Sequence, residues 1–175
     1  MNLKEHIRSI PDYPKKGILF RDITTLIKNE KAFTECINQI IDRSKKYKID
    51  KIAAIESRGF VFASAVSYLL KKPFILLRKK NKLPAETYSV DFELEYGTAS
   101  IEVHKDSIDE NDSVLIIDDL IATGGTAEAA AKLVEISGGK VAAFIFAINL
   151  FDLGGCDGLI KKDYKVESLM DFPGH

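Results

Sequence analysis

The stretch that most constrains the fold is Val114 to Thr126, which has the sequence VLIIDDLIATGGT. Four apolar residues run into the adjacent carboxylates Asp118 and Asp119, as expected for a strand buried on both faces of a parallel sheet. A Thr-Gly-Gly-Thr turn follows at 123–126, and an alanine-rich helical segment comes after it. This order predicts a strand, an acidic edge, a loop and a helix N-terminus within one α/β unit.

Such a unit is suited to holding a sugar phosphate. Ligands of open α/β sheets bind beyond the carboxyl ends of the strands, where two ionised carboxylates accept hydrogen bonds from neighbouring hydroxyls such as a ribose diol. Gly124 and Gly125 let an anion approach the backbone, and the helix N-terminus adds N–H groups and partial positive charge. The simpler alternative is an ordinary strand-to-helix turn with a capping threonine, which leaves the aspartate pair unexplained.

The rest of the chain alternates strand-like and helix-like segments. Apolar residues at helical spacing follow Asn29, a possible N-cap. The patterns predict strands at 51–56, 73–78, 114–118 and 141–149, and helices at 59–71 and 127–137. Segments 88–94 and 98–104 alternate apolar and polar residues, as a hairpin would. We therefore predict a single α/β domain over residues 1–175, with a parallel sheet flanked by helices.

Composition excludes several function classes. The chain of 175 residues is 46% hydrophobic and 29% charged, which is ordinary for a globular domain. Its net charge of -1 gives no electrostatic reason to expect nucleic acid binding. The longest apolar stretches are too short for a membrane span, and the N-terminus lacks the apolar core of a signal peptide. Cys36 and Cys156 are far apart and without metal-ligand spacing, so we expect free thiols and a cytoplasmic location.

The stretch VLIIDDLIATGGT resembles the phosphoribosyl pyrophosphate (PRPP) signature of the type I phosphoribosyltransferases. The similarity covers nearly the whole chain, because further fragments occur in the order seen in the adenine-specific members of that family. They are Pro11 to Pro14, Gly17 to Ile23, Glu56 to Phe60 and Leu94 to Gly97. The resemblance implies a Rossmann-like parallel sheet with a flexible hairpin lid at about 78–104. It also implies a purine-salvage reaction, in which adenine and PRPP give AMP and pyrophosphate.

The resemblance assigns the sugar and phosphate groups of PRPP to three places. Asp118 and Asp119 would hold the ribose hydroxyls and help to stabilise positive charge that develops on the sugar. The 5′-phosphate would lie on the loop formed by Ala122, Thr123, Gly124, Gly125 and Thr126. Pyrophosphate would bind a second loop, formed by Glu56, Ser57, Arg58 and Gly59. The simpler alternative for Arg58 is a surface ion pair, which the position of this loop at a strand end and helix start makes the less favoured interpretation.

The resemblance also implies that the segment after residue 77 opens a lid over the site. Within the run RKKNK, Arg78, Lys79 and Lys82 match the lid cations that contact pyrophosphate. Donors that hold the leaving group more tightly as its charge develops lower the barrier. Without the resemblance, such a run of cations indicates a solvated loop.

The fragment Leu94-Glu95-Tyr96-Gly97 matches the part of the lid that handles the adenine proton. Glu95 is the predicted general base, because adenine loses a ring proton as it attacks the anomeric carbon. Tyr96 is a predicted substrate contact. Glu93 is a competing base two residues away on the same strand face.

Base recognition is implied for the fragment around Leu19, Phe20 and Arg21. Phe20 would stack on the purine, and the Leu19 backbone would offer a donor and an acceptor to the adenine edge. Arg21 matches an arginine near the base and the lid. Without the resemblance, Phe20 would be assigned to the core.

Cofactors and partners follow from the same resemblance. No protein residue is predicted as a metal ligand, because Mg²⁺ enters mainly on the phosphates of PRPP and pyrophosphate. A homodimer is implied, with the region after Glu56 near its interface. Two other functions stay open at this point, namely transfer to another base such as xanthine or hypoxanthine, and PRPP sensing by a regulator without catalysis.

Overall fold

The computed structural model describes residues 1–94 and 96–175. Glu95 lies outside the described residues, and its role stays a prediction. The described strands are β1 (Arg8–Pro11), β2 (Leu19–Asp22), β3 (Lys51–Ile55), β4 (Phe74–Lys79), β5 (Thr87–Glu93), β6 (Thr98–His104), β7 (Ser113–Ile121), β8 (Lys140–Leu150) and β9 (Val166–Phe172). The described α-helices are α1 (Thr24–Ile27), α2 (Glu30–Ser44), α3 (Arg58–Leu70), α4 (Gly125–Ile136) and α5 (Gly155–Lys161).

A seven-stranded sheet in the order β5-β6-β4-β3-β7-β8-β9 forms the centre of the protein. The strands β4, β3, β7, β8 and β9 are parallel to one another, whereas β5 and β6 pair antiparallel. Side chains of β7 alternate between two apolar cores: Leu115 and Ile117 belong to one, and Val114 and Ile116 to the other. Because both faces are covered, the central strands are continuous apolar runs. The predicted α/β fold is confirmed, although the sheet is mixed.

The two aspartates lie where one neighbouring strand ends and the other continues. The last β3–β7 pair is Ala54 with Ile117, whereas β8 accompanies β7 as far as the pair Ile121 with Asn149. The long partner β8 therefore extends β7 three residues beyond the predicted end at 118. Asp118 and Asp119 follow the last residue of β7 paired with β3, and this freed edge is where α/β sheets bind ligands.

The hairpin predicted between residues 88 and 104 is present as β5 and β6. It extends the main sheet, because β6 pairs with β4 through Arg78–Glu102 and Lys79–Ile101. The hairpin also reaches the start of α4, where a Cβ placed on Gly125 would lie 3.9 Å from the Glu93 carbonyl oxygen. The hairpin therefore lies against the predicted 5′-phosphate loop.

Both ends of the chain contain elements that the sequence patterns did not predict. Near the N-terminus, β1 and β2 form a separate antiparallel ladder. Near the C-terminus, α5 precedes β9, which forms the last strand of the main sheet. The α2 start at Asn29 is confirmed, because the Asn29 side chain accepts a hydrogen bond from the Ala32 amide at 3.0 Å. Among the described residues, no helix has the length and apolar character that a membrane crossing needs.

Candidate active site

A cavity of about 1010 Å³ lies at the carboxyl ends of β3 and β7, beneath the β5–β6 hairpin. Its walls come from the start of α3, the loop after β4, the hairpin and the segment from Asp118 to Ala127. The cavity brings together most of the residues predicted to bind PRPP: Glu56, Ser57, Arg58, Lys79, Asp118, Asp119, Ala122, Thr123, Gly124, Gly125 and Thr126. Parts of the chain that are far apart in sequence therefore form one polar site.

The loop from Ala122 to Thr126 is shaped to bind an anion. Gly124 adopts a φ of 93° as the residue before α4, a conformation that favours glycine. The loop is supported from behind by Gly155 of α5, whose amide donates to the Ala122 carbonyl at 3.1 Å. A Cβ on Gly155 would lie 2.5 Å from that carbonyl oxygen, so the close approach requires glycine. The first residues of α4 line the cavity. Their amides have no acceptors within the helix and can therefore bind an anion there.

The aspartates hold different partners. The carboxylate of Asp119, a residue with only 5% of its surface exposed, forms an ion pair with Arg58, with 2.8 Å between Oδ2 and Nε. Asp118 instead accepts a hydrogen bond from the Asp119 amide at 2.8 Å. A Cβ on Gly59 would lie 2.8 Å from Asp118 Oδ1. Gly59, predicted as a substrate contact, therefore provides room for the Asp118 side chain and is absent from the cavity wall formed by described residues.

The pKa of Asp118 is raised well above the usual range. Burial is the main cause, and the negative charge of neighbouring Asp119 adds to it, while the Arg58 guanidinium acts in the opposite direction. An ionised Asp118 is therefore stabilised when a hydroxyl donor or a developing positive charge comes close. The pair is chemically suited to a ribose ring that becomes cationic.

Glu56 organises the cationic loop. Its carboxylate accepts a hydrogen bond from the Lys79 amide at 2.7 Å and forms ion pairs at 3.4 Å with Arg78 Nε and Lys82 Nζ. Burial raises the pKa of Glu56, but the Lys79 amide and the Arg78 guanidinium lower it more, so the net pKa lies below its usual range. The peptide bond between Glu56 and Ser57 is cis. Because its carboxylate is ionised, Glu56 is suited to binding the neighbouring cations and is not suited to contacting a phosphate group directly.

The predicted cations do not all face the cavity. Lys79 lines it, and so does Lys80, which the sequence analysis did not single out. Arg78 and Lys82 are held by Glu56 and are not among the described residues that form the wall. Lys80 belongs to the run of cations that was noted in the sequence, but nothing in that run distinguishes which members face the site.

Phe20 contacts Arg58, which lines the cavity. The Arg58 guanidinium carbon lies 5.6 Å from the centre of the Phe20 ring, and Tyr13 contacts the same ring edge-on at 5.1 Å. Leu19 is half-buried in β2. Neither Leu19 nor Phe20 is among the described residues of the cavity wall, so their contact with a base stays a prediction.

Arg21 and Tyr96 lie away from the described cavity wall. The Arg21 guanidinium donates to the Ser9 hydroxyl at 2.6 Å and to the Pro173 carbonyl at 3.0 Å. Tyr96 packs beneath the ammonium of Lys15, which lies 4.9 Å from the ring centre. Their assignment as direct substrate contacts is thus not tested by the geometry of the described residues.

The hairpin contributes residues that sequence reasoning did not assign to the site. Asp91, Phe92, Leu94 and the segment 98–101 line the cavity. The Ser100 hydroxyl donates to the Asp91 carboxylate across the two strands. The alternation of apolar and polar residues in the hairpin predicted that it has two different faces. The alternation does not show which of these faces covers the site.

Comparison with known proteins agrees with this geometry. The family model of the phosphoribosyl transferase domain matches residues 22–171. The chain is 86% identical to the adenine phosphoribosyltransferase of Pelagibacter ubique (strain HTCC1062) over 100% of both chains. It is 52% identical to the corresponding protein of Nitrosomonas eutropha, over 98% of this chain and 99% of that one.

Solved structures show the same architecture. The adenine phosphoribosyltransferase of Thermoanaerobacter pseudethanolicus superposes with a TM-score of 0.93 at 49% identity, over 97% of this chain and 98% of that chain. The Giardia lamblia enzyme, solved with 9-deazaadenine, superposes with a TM-score of 0.92 at 32% identity, over 98% and 96% of the two chains. The chain therefore belongs to the phosphoribosyl transferase family and, within it, to the adenine phosphoribosyltransferases.

Proposed function

We propose that this enzyme, which converts adenine and PRPP into AMP and pyrophosphate in purine salvage, carries out that reaction in the cavity beneath the β5–β6 hairpin. The observation that carries the proposal is the meeting of three features in one cavity: the Asp118–Asp119 pair, the α4 N-terminal loop and the cationic loop after β4. The aspartate pair suits the ribose hydroxyls, the α4 N-terminal loop suits the 5′-phosphate, and the cationic loop suits the pyrophosphate.

The ribose and its 5′-phosphate fit the β7–α4 unit. The phosphate accepts hydrogen bonds from amides of the loop at 122–126 and from the hydroxyls of Thr123 and Thr126. The ribose hydroxyls then donate to Asp118 and Asp119. As the bond to pyrophosphate breaks, positive charge develops on the sugar, and the two carboxylates stabilise it more in the transition state than in the ground state.

The pyrophosphate fits the part of the cavity that cations line. Arg58 is 52% exposed at its side chain, and Lys79 and Lys80 line the same cavity, so cations are available to the leaving group. Arg58 pairs with Asp119 and also lines the cavity, and pyrophosphate would give it a more highly charged anionic partner. Glu56 keeps Arg78 and Lys82 beside the site, so the positive potential is present before PRPP arrives.

Adenine fits between the cavity and β2. Phe20 supplies an aromatic face, and the Leu19 backbone supplies a donor and an acceptor. Glu95, two residues after Glu93 in the sequence, accepts the ring proton, and Glu93 on β5 is the alternative base. Closure of the hairpin excludes water from the reactive sugar.

Mg²⁺ is proposed to enter with PRPP, as is general in this family. The carboxylates of Asp118 and Asp119 are oxygen donors of the kind that Mg²⁺ accepts, and they would help to hold an ion that is carried mainly by substrate oxygens and water. The ion neutralises phosphate charge when bound. Among the described residues, no group of three or more His, Cys, Asp or Glu side chains is placed so that it could hold a metal ion.

A homodimer is proposed through the outer face of α3. Val61, Tyr68 and Leu69 expose 37%, 83% and 54% of their surfaces, and Leu76 of neighbouring β4 exposes 39%. An apolar face of this kind is typical of an interface between subunits. Sedimentation of wild type and Tyr68→Glu tests it: we expect a dimer that the substitution weakens, and a monomeric wild type would contradict the proposal.

A competition assay tests the base. Wild-type enzyme is supplied with PRPP and an equal mixture of adenine, hypoxanthine, guanine and xanthine, and the nucleotide products are separated. We expect AMP as the main product, because Leu19 and its neighbours recognise the adenine edge. Preference for a 6-oxopurine would contradict this base segment.

A further inference from the structure

We propose that Arg21 is a positioning residue, which works with the segment Phe172–Gly174 to hold the base-binding strand β2 in place for adenine. We call this segment the C-terminal strap. The proposal rests on the proposed role of Phe20 in stacking on adenine. It reassigns Arg21 from a substrate contact to a residue that acts through the strap.

The buried guanidinium of Arg21 makes its hydrogen bonds with β1 and the strap, and Arg21 is not among the described residues of the cavity wall. The residue is only 9% exposed. One terminal nitrogen donates to the Ser9 hydroxyl of β1 at 2.6 Å, and the other donates to the Pro173 carbonyl at 3.0 Å. The guanidinium carbon also lies 4.7 Å from the centre of the Phe172 ring. One side chain therefore joins β1, β2 and the strap.

The far end of the strap is fixed to the main sheet. Phe172 is the last residue of β9 and pairs with Leu150 of β8. The Gly174 amide donates to the Asp152 carboxylate at 2.6 Å. A Cβ on Gly174 would lie 2.7 Å from the Leu153 side chain, so the packing there is close. The strap thus connects β2 with the turn after β8, at the same edge of the sheet as Asp118 and Asp119.

The alternation of side chains along β2 explains how this connection affects the base. Successive residues of a strand point to opposite faces, and Phe20 and Arg21 do so. The Phe20 ring lies 5.6 Å from the guanidinium carbon of Arg58, and Arg58 lines the cavity. Arg21 faces the strap. Holding the back of β2 therefore fixes the distance of the Phe20 ring from the ribose site, and small misplacements of a binding group reduce activity strongly.

The test compares four single variants with the wild type: Arg21→Gln, Arg21→Lys, Phe172→Leu and Asp152→Ala. We expect Arg21→Gln to raise the adenine KM by about tenfold, while the PRPP KM changes by less than about twofold. Arg21→Lys should not restore the wild-type value, because one ammonium group cannot reproduce the planar, two-ended guanidinium contact. Phe172→Leu and Asp152→Ala should raise the adenine KM in the same direction.

Arg43→Gln is the matched control. Arg43 lies on α2 and forms an ion pair with Glu167 at 3.7 Å, so its loss removes a similar charge without touching β2 or the strap. We expect both KM values to stay within about twofold of wild type. An adenine KM that rises equally in Arg43→Gln would overturn the proposal, because the effect would then be a general one.

The double variant Arg21→Gln with Phe172→Leu separates the strap from a direct contact between Arg21 and adenine. If both residues act through the strap, the combined effect on adenine KM is smaller than the product of the single effects. If Phe172→Leu and Asp152→Ala both leave the adenine KM unchanged, the proposed role of the strap is overturned. If Arg21→Gln does not fold, the Phe172 and Asp152 variants still decide the question.

Phe20→Ala distinguishes this proposal from the one on which it rests. A normal adenine KM in Phe20→Ala contradicts the base-stacking role itself. A raised adenine KM in Phe20→Ala, with wild-type values in the two strap variants, contradicts only the strap. A raised adenine KM in all three supports both.

Discussion

Replacing Asp118 by asparagine should stabilise the protein while it reduces turnover. The change keeps the shape of the side chain, and asparagine Oδ1 still accepts the hydrogen bond that the Asp119 amide donates at 2.8 Å. What it removes is a negative charge that burial and neighbouring Asp119 make unfavourable, as the raised pKa of Asp118 shows. Arg58 remains paired with Asp119 at 2.8 Å, so the substitution keeps this ion pair.

These contacts set the expected increase in the free energy of unfolding of Asp118→Asn. A buried carboxylate beside a second carboxylate, partly compensated by one guanidinium, costs folding free energy that a neutral amide does not. We expect the free energy of unfolding to rise by about 1–2 kcal/mol, within the range of other stabilising changes at strained functional sites. For a chain of this length, that raises Tm by about 2–8 °C. Turnover should fall by about a hundredfold, because a stabilising charge is missing from the transition state.

The gain should depend on pH in a defined direction. Asp118 has a raised pKa in the folded state, so the folded protein binds this proton more tightly than the unfolded chain does. That contribution stabilises the wild type below the ordinary pKa of aspartate and is lost as the pH rises through the raised pKa. The advantage of Asp118→Asn should therefore be largest above the raised pKa and should vanish in acid.

Urea unfolding of both proteins at alkaline and acidic pH measures the difference. Asp112→Asn is the control, because the Asp112 carboxylate pairs with Lys51 at 2.8 Å. Burial raises the pKa of Asp112, but its bonds to Lys51 and to the Asp109 amide lower it further, and the net pKa is lowered. That variant should be destabilised. A loss of stability in Asp118→Asn, or a gain that does not change with pH, would refute the electrostatic reasoning.

Three further changes test the rest of the site. Glu56→Gln should raise the PRPP KM by about tenfold with little change for adenine, because the cationic loop loses the charge that holds it; an unchanged PRPP KM in steady-state assays would count against that role. Gly124→Ala should lower the free energy of unfolding by about 1–3 kcal/mol, because its φ is 93°, whereas Gly158→Ala, where a Cβ meets open space, should be nearly neutral in the same denaturation assay. Glu95→Gln should lower kcat by about a hundredfold with PRPP binding retained; if kcat is preserved in rapid-mixing assays, Glu93 becomes the preferred base.

Local patterns predicted the parts of the fold that depend on local physics. The apolar run before Asp118 predicted the central strand, and Asn29 predicted the start of α2, because strand burial and helix capping act over a few neighbouring residues. The β1–β2 ladder and the strand β9 were not predicted. Most side chains of β1 are exposed and most of those of β9 are half-buried, and each of these strands forms only because a partner elsewhere in the chain supplies its hydrogen bonds.

The site divides in the same way. Residue types alone predicted that the stretch from Asp118 to Thr126 is suited to a sugar phosphate, since acceptors, glycines and a helix N-terminus lie next to one another in the chain. Which residues contact one another was decided only by the tertiary structure: Glu56 pairs with Arg78 and Lys82, Gly155 packs behind the loop at 122–126, and Arg21 bonds to the C-terminal strap. These contacts join residues 22 to 152 positions apart, and their partners are chosen by how strands order and helices pack, which no local pattern encodes.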